Sequence, residues 1–302
     1  MMHLVTSGIL LVDKPEGPSS ARVVATAKRI TGARKVGHLG TLDPFASGLL
    51  PLAVNEGTKV AQHFLDADKG YTGAIALGAE TDTQDRTGEV LVRRDAPRLG
   101  PPELEALRRE FSGDLRQVPP MYSALKQDGT RLYQLARKGV EVGREARDIR
   151  VEITRLEQAG PAELEFDLTC SKGTYVRTLA ADIGGALGCG GYLSRLRRVA
   201  SGPFRIDDAL TLDALRELPD AGAVPLVPLN QAMGHLRGAV VDRAAADGLR
   251  RGLQGALAGI GMPDPGEITR RVVDPDGVLV ALIGWQAMVR RWQILRVFNR
   301  SG

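Results

Sequence analysis

The stretch Gly37-His-Leu-Gly-Thr-Leu-Asp-Pro-Phe-Ala-Ser-Gly-Leu-Leu-Pro51 sets one carboxylate and one histidine among three glycines. Asp43 fits two uses. An aspartate before proline closes a turn, its side chain bonding nearby backbone while Pro44 fixes φ. The same carboxylate, held against a substrate, is a nucleophile. On the local pattern the two uses stand even. Gly37, Gly40 and Gly48 permit positive φ and close approach of a ligand to the backbone. A phosphate cradle fits less well: the Gly-Lys-Ser/Thr of a P-loop is missing, and Asp43 would repel the anion.

Elsewhere, residues that could do chemistry are sparse. His3, His38, His63 and His235 show no metal-ligand spacing. Cys170 and Cys189 are too few for a disulfide framework. Thr81-Asp82-Thr83 has the look of a calcium loop, but Gln84 and Arg86 break the spacing. No metal is expected. Aromatics make up only 4% of the chain, so a tyrosine near a loop carries weight. Taken singly, Tyr71 reads as a packing residue at the head of a strand and Arg177 as a surface helix residue.

Lysine and arginine number 40 against 36 acidic residues, a net +4, which points weakly to a polyanionic partner. The distribution says more. Arg195, Arg197 and Arg198 cluster in RLRR, Lys126 and Arg131 flank a glycine-containing loop, and Arg290, Arg291 and Arg296 lie near the C-terminus. Each cluster reads first as a solvated face. The opening MMHLVTSGILLVDKP lacks a basic n-region and a long apolar core, and no apolar run approaches membrane-spanning length. These features predict a soluble, reduced, cytoplasmic protein.

The elements that must hold the loop are readable from periodicity. SGILLVDKP predicts a buried strand closed by Pro15. Ser19 and Ser20 offer caps to a helix with Val23, Val24, Ala27 and Ile30 on one face and Lys28 and Arg29 on the other. GLLPLAV (48–54) and YTGAIALG (71–78) predict strands; TKVAQHFLD (58–66) and PELEALRREF (102–111) predict helices. AELEFDLTC (162–170) alternates cleanly and pairs with VEITRLEQ (151–158) across Ala159-Gly160-Pro161. Val176, Leu179, Ala180, Ile183 and Leu187 share a helical face. Strands and helices mix without strict alternation, so an α+β fold with a mixed or largely antiparallel sheet is expected. Small residues and prolines near residue 220 predict a linker between a large domain, 1–230, and a small β-rich module, 235–302.

With these motifs in view, the loop resembles the signature of the bacterial tRNA pseudouridine synthases of the TruB family, which modify the T-loop uridine at tRNA position 55. Their usual pattern is Gly-His-Thr-Gly-Thr-Leu-Asp-Pro-Leu-Ala-Thr-Gly-Leu-Leu-Pro, and this chain departs at Leu39, Phe45 and Ser47. The likeness continues in order. Lys69-Gly70-Tyr71 is similar to the family's Lys-x-Tyr, and Thr81 to Asp85 to its Thr-Asp-Thr-x-Asp. Residues 118–139 resemble its Pro-Pro-x-Tyr-Ser-Ala-x-Lys insertion, 170–184 its Gly-Thr-Tyr-x-Arg segment, and 196–202 its Leu-Arg-Arg-x-x-Ser-Gly.

The resemblance implies a pseudouridine synthase fold followed by a small C-terminal β-barrel of PUA-like type that binds RNA. It implies Asp43 as nucleophile, at either C6 of uracil or C1′ of ribose, with Arg177 as its cationic partner. Tyr71 would stack on the uracil and serve in proton transfer. A base inside a folded loop must be extruded, and His38 would fill the space it leaves. Tyr175 and Leu196 would line the uracil pocket, and Gly40, Thr41, Arg197 and Lys126 would contact RNA. Isomerising uridine oxidises nothing, so no cofactor is implied. The partner is the tRNA T-stem-loop, with no protein partner and a monomeric enzyme. Two other readings stand beside this one: a guide-RNA-dependent synthase that needs partner proteins, and a non-catalytic tRNA-folding chaperone using the same cleft.

Overall fold

The structure, a computed structural model, describes residues 6–123, 125–127, 129–136, 138–219 and 223–299, with the backbone alone at residues 126, 127, 131 and 133. The chain begins β1 (Gly8–Lys14), α1 (Ser20–Thr31), β2 (Val36–His38), β3 (Ser47–Val54), α2 (Ala61–Leu65), β4 (Lys69–Leu77), β5 (Ala79–Thr81) and β6 (Val90–Arg93). It continues with α3 (Pro101–Glu110), β7 (Gly113–Gln117), β8 (Lys126–Gln127), β9 (Thr130–Arg131), α4 (Leu132–Ala136), β10 (Arg147–Gly160) and β11 (Glu163–Cys170). Next come α5 (Val176–Ala186), β12 (Gly191–Ser201), β13 (Phe204–Arg205), β14 (Leu210–Thr211), α6 (Leu212–Arg216), β15 (Leu226–Val227) and α7 (Leu229–Ala232). The C-terminal unit holds β16 (Gly238–Val240), α8 (Arg243–Arg250), β17 (Thr269–Val273), β18 (Leu279–Gln286) and β19 (Arg291–Val297).

One large mixed sheet carries the path β14-β1-β3-β12-β4-β11-β10-β7, with β2 on β3, β13 on β12 and β15 on β1. The β1–β14 and β3–β12 pairs are parallel, whereas β1–β3, β12–β4, β4–β11 and β11–β10 are antiparallel. Pro51 lies inside β3, where a missing N–H would normally break a ladder. It is tolerated because β12 pairs with β3 only at Ser47 and Gly48, and β2 joins only from Leu52 onward.

Alternation along β1 and β3 explains the layers. Leu10, Val12, Leu50, Leu52 and Val54 face one core, covered by Val23 and Ala27 of α1, Leu107 of α3 and Val176, Leu179 and Ile183 of α5. Ile9, Leu11, Leu49 and Ala53 face the opposite way, so this sheet needs cover on both sides. That second cover comes from Phe64 of α2, Leu229 and Ala232 of α7, and Val273, Leu279, Leu282 and Phe298 of the C-terminal unit.

Two expectations are corrected here. The small β unit, expected as a barrel, is a four-stranded sheet in the order β16-β17-β18-β19, with β16 and β19 at its edges among the described residues. The segment expected as a linker is built into the core: β15 pairs with β1, and Leu229, Ala232 and Met233 are buried. Pro225 and Pro228 bracket the two strand residues between them, which suits a short edge pairing.

The joint between the two sheets is therefore a shared apolar layer. Lys59 Nζ adds a hydrogen bond to the Val297 carbonyl at 2.8 Å, and Asn299 N–H donates to Glu56 at 2.9 Å. Phe64, 1% exposed, packs on Phe204 with centroids 5.1 Å apart. Phe64→Ala is expected to destabilise the protein by about 3–5 kcal/mol, measured by urea unfolding, and to open the joint to proteolysis. A loss below about 1 kcal/mol would mean the layer adds little.

Candidate active site

The entry to β3 is a turn over Asp43-Pro44-Phe45-Ala46, closed by the Ala46 N–H donating to the Asp43 carbonyl at 3.1 Å. The closing bond joins backbone atoms, so the Asp43 side chain is left over for something else. Buried polar groups brace the loop around it. Lys14, fully buried at the end of β1, donates from Nζ to the carbonyls of Pro15, Pro44 and Ala46 at 2.8, 3.2 and 2.6 Å. Ser20 Oγ, in the first turn of α1, donates to the Leu42 carbonyl and accepts from its N–H, both at 2.9 Å.

Arg198 holds the other side. It is 1% exposed on β12 and donates to the carbonyls of Leu49, Thr41 and Gly40 at 2.7, 3.3 and 3.1 Å. Two glycines permit this closeness. Gly48 has φ +100°, and a Cβ there would meet the Arg198 carbonyl oxygen at 2.3 Å, so only glycine lets β3 and β12 approach. Gly40, at φ +130°, adopts backbone that other residues rarely take.

Three charges then line up. Arg177, on the first turn of α5, has Nη2 3.8 Å from Asp43 Oδ2 and Nη1 3.8 Å from Asp85 Oδ2. Its Nη2 also donates to the Tyr122 carbonyl at 2.6 Å, and its guanidinium lies 5.7 Å from the Tyr175 ring centre. Asp85 is 3% exposed, and its Oδ1 accepts from Thr83 Oγ1, Thr87 N–H and Thr87 Oγ1. Those donors fix the carboxylate with Oδ2 facing the arginine. Thr178 Oγ1, next to Arg177, donates to Gln84 at 2.8 Å and ties α5 to the same loop.

Asp43 keeps 37% of its side chain open, at the floor of the site. Crowding by protein pushes its carboxyl above the usual carboxylate range; Arg177 pulls it back, Asp85 adds to the rise, and Lys14 opposes it. Lys14 itself is lowered to about 8, by burial first, with Asp43 restoring part of the loss. The floor is thus a carboxylate kept usable by cations in a site that disfavours it.

Asp85 acts on this balance in two directions. Its charge repels Asp43, yet it also anchors the arginine that serves Asp43. Losing a hydrogen-bonded charge costs about 1.5–3 kcal/mol, whereas relief of repulsion across an intervening guanidinium is smaller. Asp85→Asn is therefore expected to slow catalysis roughly 10- to 100-fold, with the acid limb of the rate profile moved to lower pH. An unchanged single-turnover rate would deny Asp85 a place in the site.

Tyr71, on β4, stands across the sheet from Arg198 in register. Burial raises its phenol, with Arg198 working the other way, so the hydroxyl is protonated at neutral pH. His38 ends β2 opposite Leu52, and burial followed by Arg198 lowers its imidazole, leaving a neutral ring. Its Nδ1 is buried and has no partner among the described residues. Thr41 is exposed, Tyr175 caps α5 and is held by Gln117 on both its N–H and carbonyl, and Leu196 is 6% exposed opposite Gly73.

Not every expected RNA contact stands free. Arg197 forms a two-bond pair with Asp13 at 3.0 and 2.7 Å, and Arg195 pairs with Glu165. The RLRR cluster is thus divided: Arg198 is buried, Arg197 is half-buried in its pair with Asp13, and Arg195 is exposed in its pair with Glu165. The Lys126 side chain lies outside the described residues. Sequence reasoning passed over Asp85, Lys14 and Arg198 as members of the site. Asp85 carried a signal as the last position of the Thr-Asp-Thr-x-Asp motif and Arg198 as the second arginine of Leu-Arg-Arg-x-x-Ser-Gly, whereas Lys14 carried none.

Among the described residues no helix is long and apolar enough to cross a membrane, and no group of ligating side chains forms a metal site. Comparison with known proteins adds the family context. The model described as "TruB family pseudouridylate synthase (N terminal domain)" matches residues 28–176, and "tRNA pseudouridylate synthase B C-terminal domain" matches residues 177–222. The second match falls on α5, β12 and α6, within the large sheet. A tRNA pseudouridine synthase B of Geobacter sulfurreducens is 43% identical, covering 97% of this chain and 99% of its own. One from Aromatoleum aromaticum is 46% identical over 82% and 80%. Among solved structures, a chain of a Cbf5-Nop10-Gar1 complex superposes with TM-score 0.68 at 27% identity, covering 98% of this chain and 84% of that one. A chain of an H/ACA RNP bound to a substrate RNA gives TM-score 0.68 at 26% identity over 97% and 85%.

Proposed function

The chain belongs to the TruB family of pseudouridylate synthases, and on that premise we propose that it converts uridine 55 in the tRNA T-loop to pseudouridine, alone and without a guide RNA. The observation that carries the reading is Asp43, on a turn that does not use its side chain, facing Arg177 at 3.8 Å. In this reading Asp43 forms a transient bond to the nucleoside while the N1–C1′ bond breaks. The uracil turns, C5 joins C1′, the bond to Asp43 breaks and returns its electron pair to the carboxylate, the C5 proton leaves and N1 takes one up. Arg177 keeps the carboxylate ionised between steps.

Tyr71 stacks on the extruded uracil; its phenol, held neutral by burial, is suited to stacking more than to taking a proton. The neutral His38 ring takes the place the base vacates, while Tyr175 and Leu196 bound the pocket. Phosphate contacts fall to cations not already used within the fold. Lys28, Arg29, Arg34 and Lys35, on and after α1, are exposed and in no ion pair among the described residues. The enzyme acts as a monomer in the cytoplasm.

Purified protein and a synthetic T-stem-loop RNA test the reading, with pseudouridine measured by nucleoside mass spectrometry. Formation with protein alone is the expected result. Product appearing only after guide RNA and partner proteins are added would replace this reading with the guide-dependent one. Accelerated tRNA annealing with no product from any RNA would leave a chaperone.

A further inference from the structure

The residues that follow β7 form a strut between two parts of the site. Gln117, 4% exposed at the end of that strand, grips Tyr175: its Nε2 donates to the Tyr175 carbonyl and its Oε1 accepts from the Tyr175 N–H. Pro119 and Pro120 come next, both buried, each with φ fixed by its ring. The Ser123 N–H donates to the Met121 carbonyl at 2.9 Å and folds the chain tightly around Tyr122. The Tyr122 hydroxyl then donates to Asp82 Oδ2 at 3.0 Å. Asp82 is itself fixed, since its Oδ1 accepts from the Glu89 N–H at 2.9 Å. One end of the strut thus rests on the start of α5, the other on the loop that carries Asp85.

What the strut presents is the Tyr122 carbonyl. It takes a hydrogen bond from Arg177 Nη2 at 2.6 Å, whereas Asp43 and Asp85 each stand 3.8 Å from the guanidinium. A guanidinium carries its five donors in one rigid plane, so its tightest partner sets where that plane lies. The nitrogen that grips the carbonyl is also the one that faces Asp43. A small shift of the carbonyl therefore moves the charge that serves the nucleophile, and a misplacement on the ångström scale is costly to a reaction.

We propose that Tyr122 is a positioning residue for the isomerisation: Asp82 holds its hydroxyl, the hydroxyl fixes its carbonyl, and the carbonyl aims Arg177 at Asp43. This rests on Asp43 and Arg177 being the catalytic pair. Stacking of the Tyr122 ring on RNA is the competing role, and it would need the ring but neither the hydroxyl nor Asp82.

Tyr122→Phe keeps ring and backbone and removes the tie to Asp82. On a T-stem-loop RNA at saturating enzyme, its single-turnover rate is expected to fall roughly tenfold, with Kd within about twofold of wild type. The acid limb of the rate profile should move up by about half a pH unit, because Arg177 restrains the Asp43 carboxyl less. Asp85, Lys14, Tyr71 and Tyr175, which also bear on Asp43, stay in place. Asp82→Ala should show the same shift, and the double variant Tyr122→Phe/Asp82→Ala should be no slower than the slower single one, since both remove one bond. Asp82→Asn, whose amide still meets the hydroxyl and the Glu89 N–H, should come within about threefold of wild type. A wild-type rate and acid limb in Tyr122→Phe, additive losses in the double variant, or a loss carried by Kd would each overturn the proposal. One readout needs no activity. The rise in thermal midpoint that Asp43→Asn gives at pH 8 should be larger in the Tyr122→Phe background, and an equal rise would overturn the proposal too. A wild type that forms no pseudouridine would sink the catalytic reading, and this comparison would still decide whether Tyr122 positions Arg177.

Discussion

Asp43→Asn is expected to abolish pseudouridine formation, with the single-turnover rate falling roughly 10,000-fold or more, while tRNA affinity stays within about threefold. The substitution is nearly isosteric, and the turn that presents the side chain closes through backbone atoms, so the loop should keep its shape. What is lost is the electron pair that makes the bond. A second readout follows from electrostatics. The Asp43 carboxyl is raised in the folded state above its ordinary range. Such a group contributes stability only below its unfolded value and loses it as pH rises through the folded one. At neutral and alkaline pH the ionised carboxylate therefore weakens the fold, and the neutral asparagine should raise the thermal midpoint there. The gain should vanish in acid, where the wild-type carboxyl is protonated too. An active, no more stable variant would show that Asp43 is neither nucleophile nor strained.

Arg177→Met is expected to reduce the single-turnover rate by roughly 100- to 1,000-fold. Removing one partner from a buried ion pair costs about 3–5 kcal/mol, which is a rate factor in the hundreds to thousands if felt in full. Asp43 is partly open to water before RNA binds, which places the effect in the lower part of that range. Without its main cation the Asp43 carboxyl rises further. The acid limb of the rate profile should therefore move to higher pH, and more activity should be lost at pH 6 than at pH 8. Arg177→Lys should recover little, because one ammonium cannot span Asp43, Asp85 and the Tyr122 carbonyl together. A loss equal at every pH and matched by lost tRNA affinity would make Arg177 a structural residue only.

Much of the scaffold was legible in the sequence. The alternation of Leu164, Phe166, Leu168 and Cys170 gave β11 its face, and the spacing of Val176, Leu179 and Ile183 gave α5 its buried side. Asp43 was legible as a position but not as a role. Turn and nucleophile looked like rivals because a sequence does not say whether a turn closes through side chain or backbone. The residues whose surroundings stayed hidden share one physical cause. Lys14, Arg197 and Arg198 carry charges that would seek solvent, but their environment is set by groups far along the chain: carbonyls of a loop and Asp13. Charge pattern alone carries no record of such partners. Likewise, prolines and small residues near 220 promise a free linker until β15 is seen against β1, an edge pairing too short to leave a periodic signature.

The Arg198 brace also dictates when the site can exist. The carbonyls it grips belong to residues 40–49, but the guanidinium arrives 149 residues after Leu49. During synthesis at roughly 5–20 residues per second, the signature loop therefore waits many seconds as an unbraced segment. Arg177 and β12 enter the fold from the same late stretch. A nascent chain stopped before β12 would display the complete Gly37–Pro51 sequence without a working site. The last strand to reach the middle of the sheet is therefore the one that completes the site.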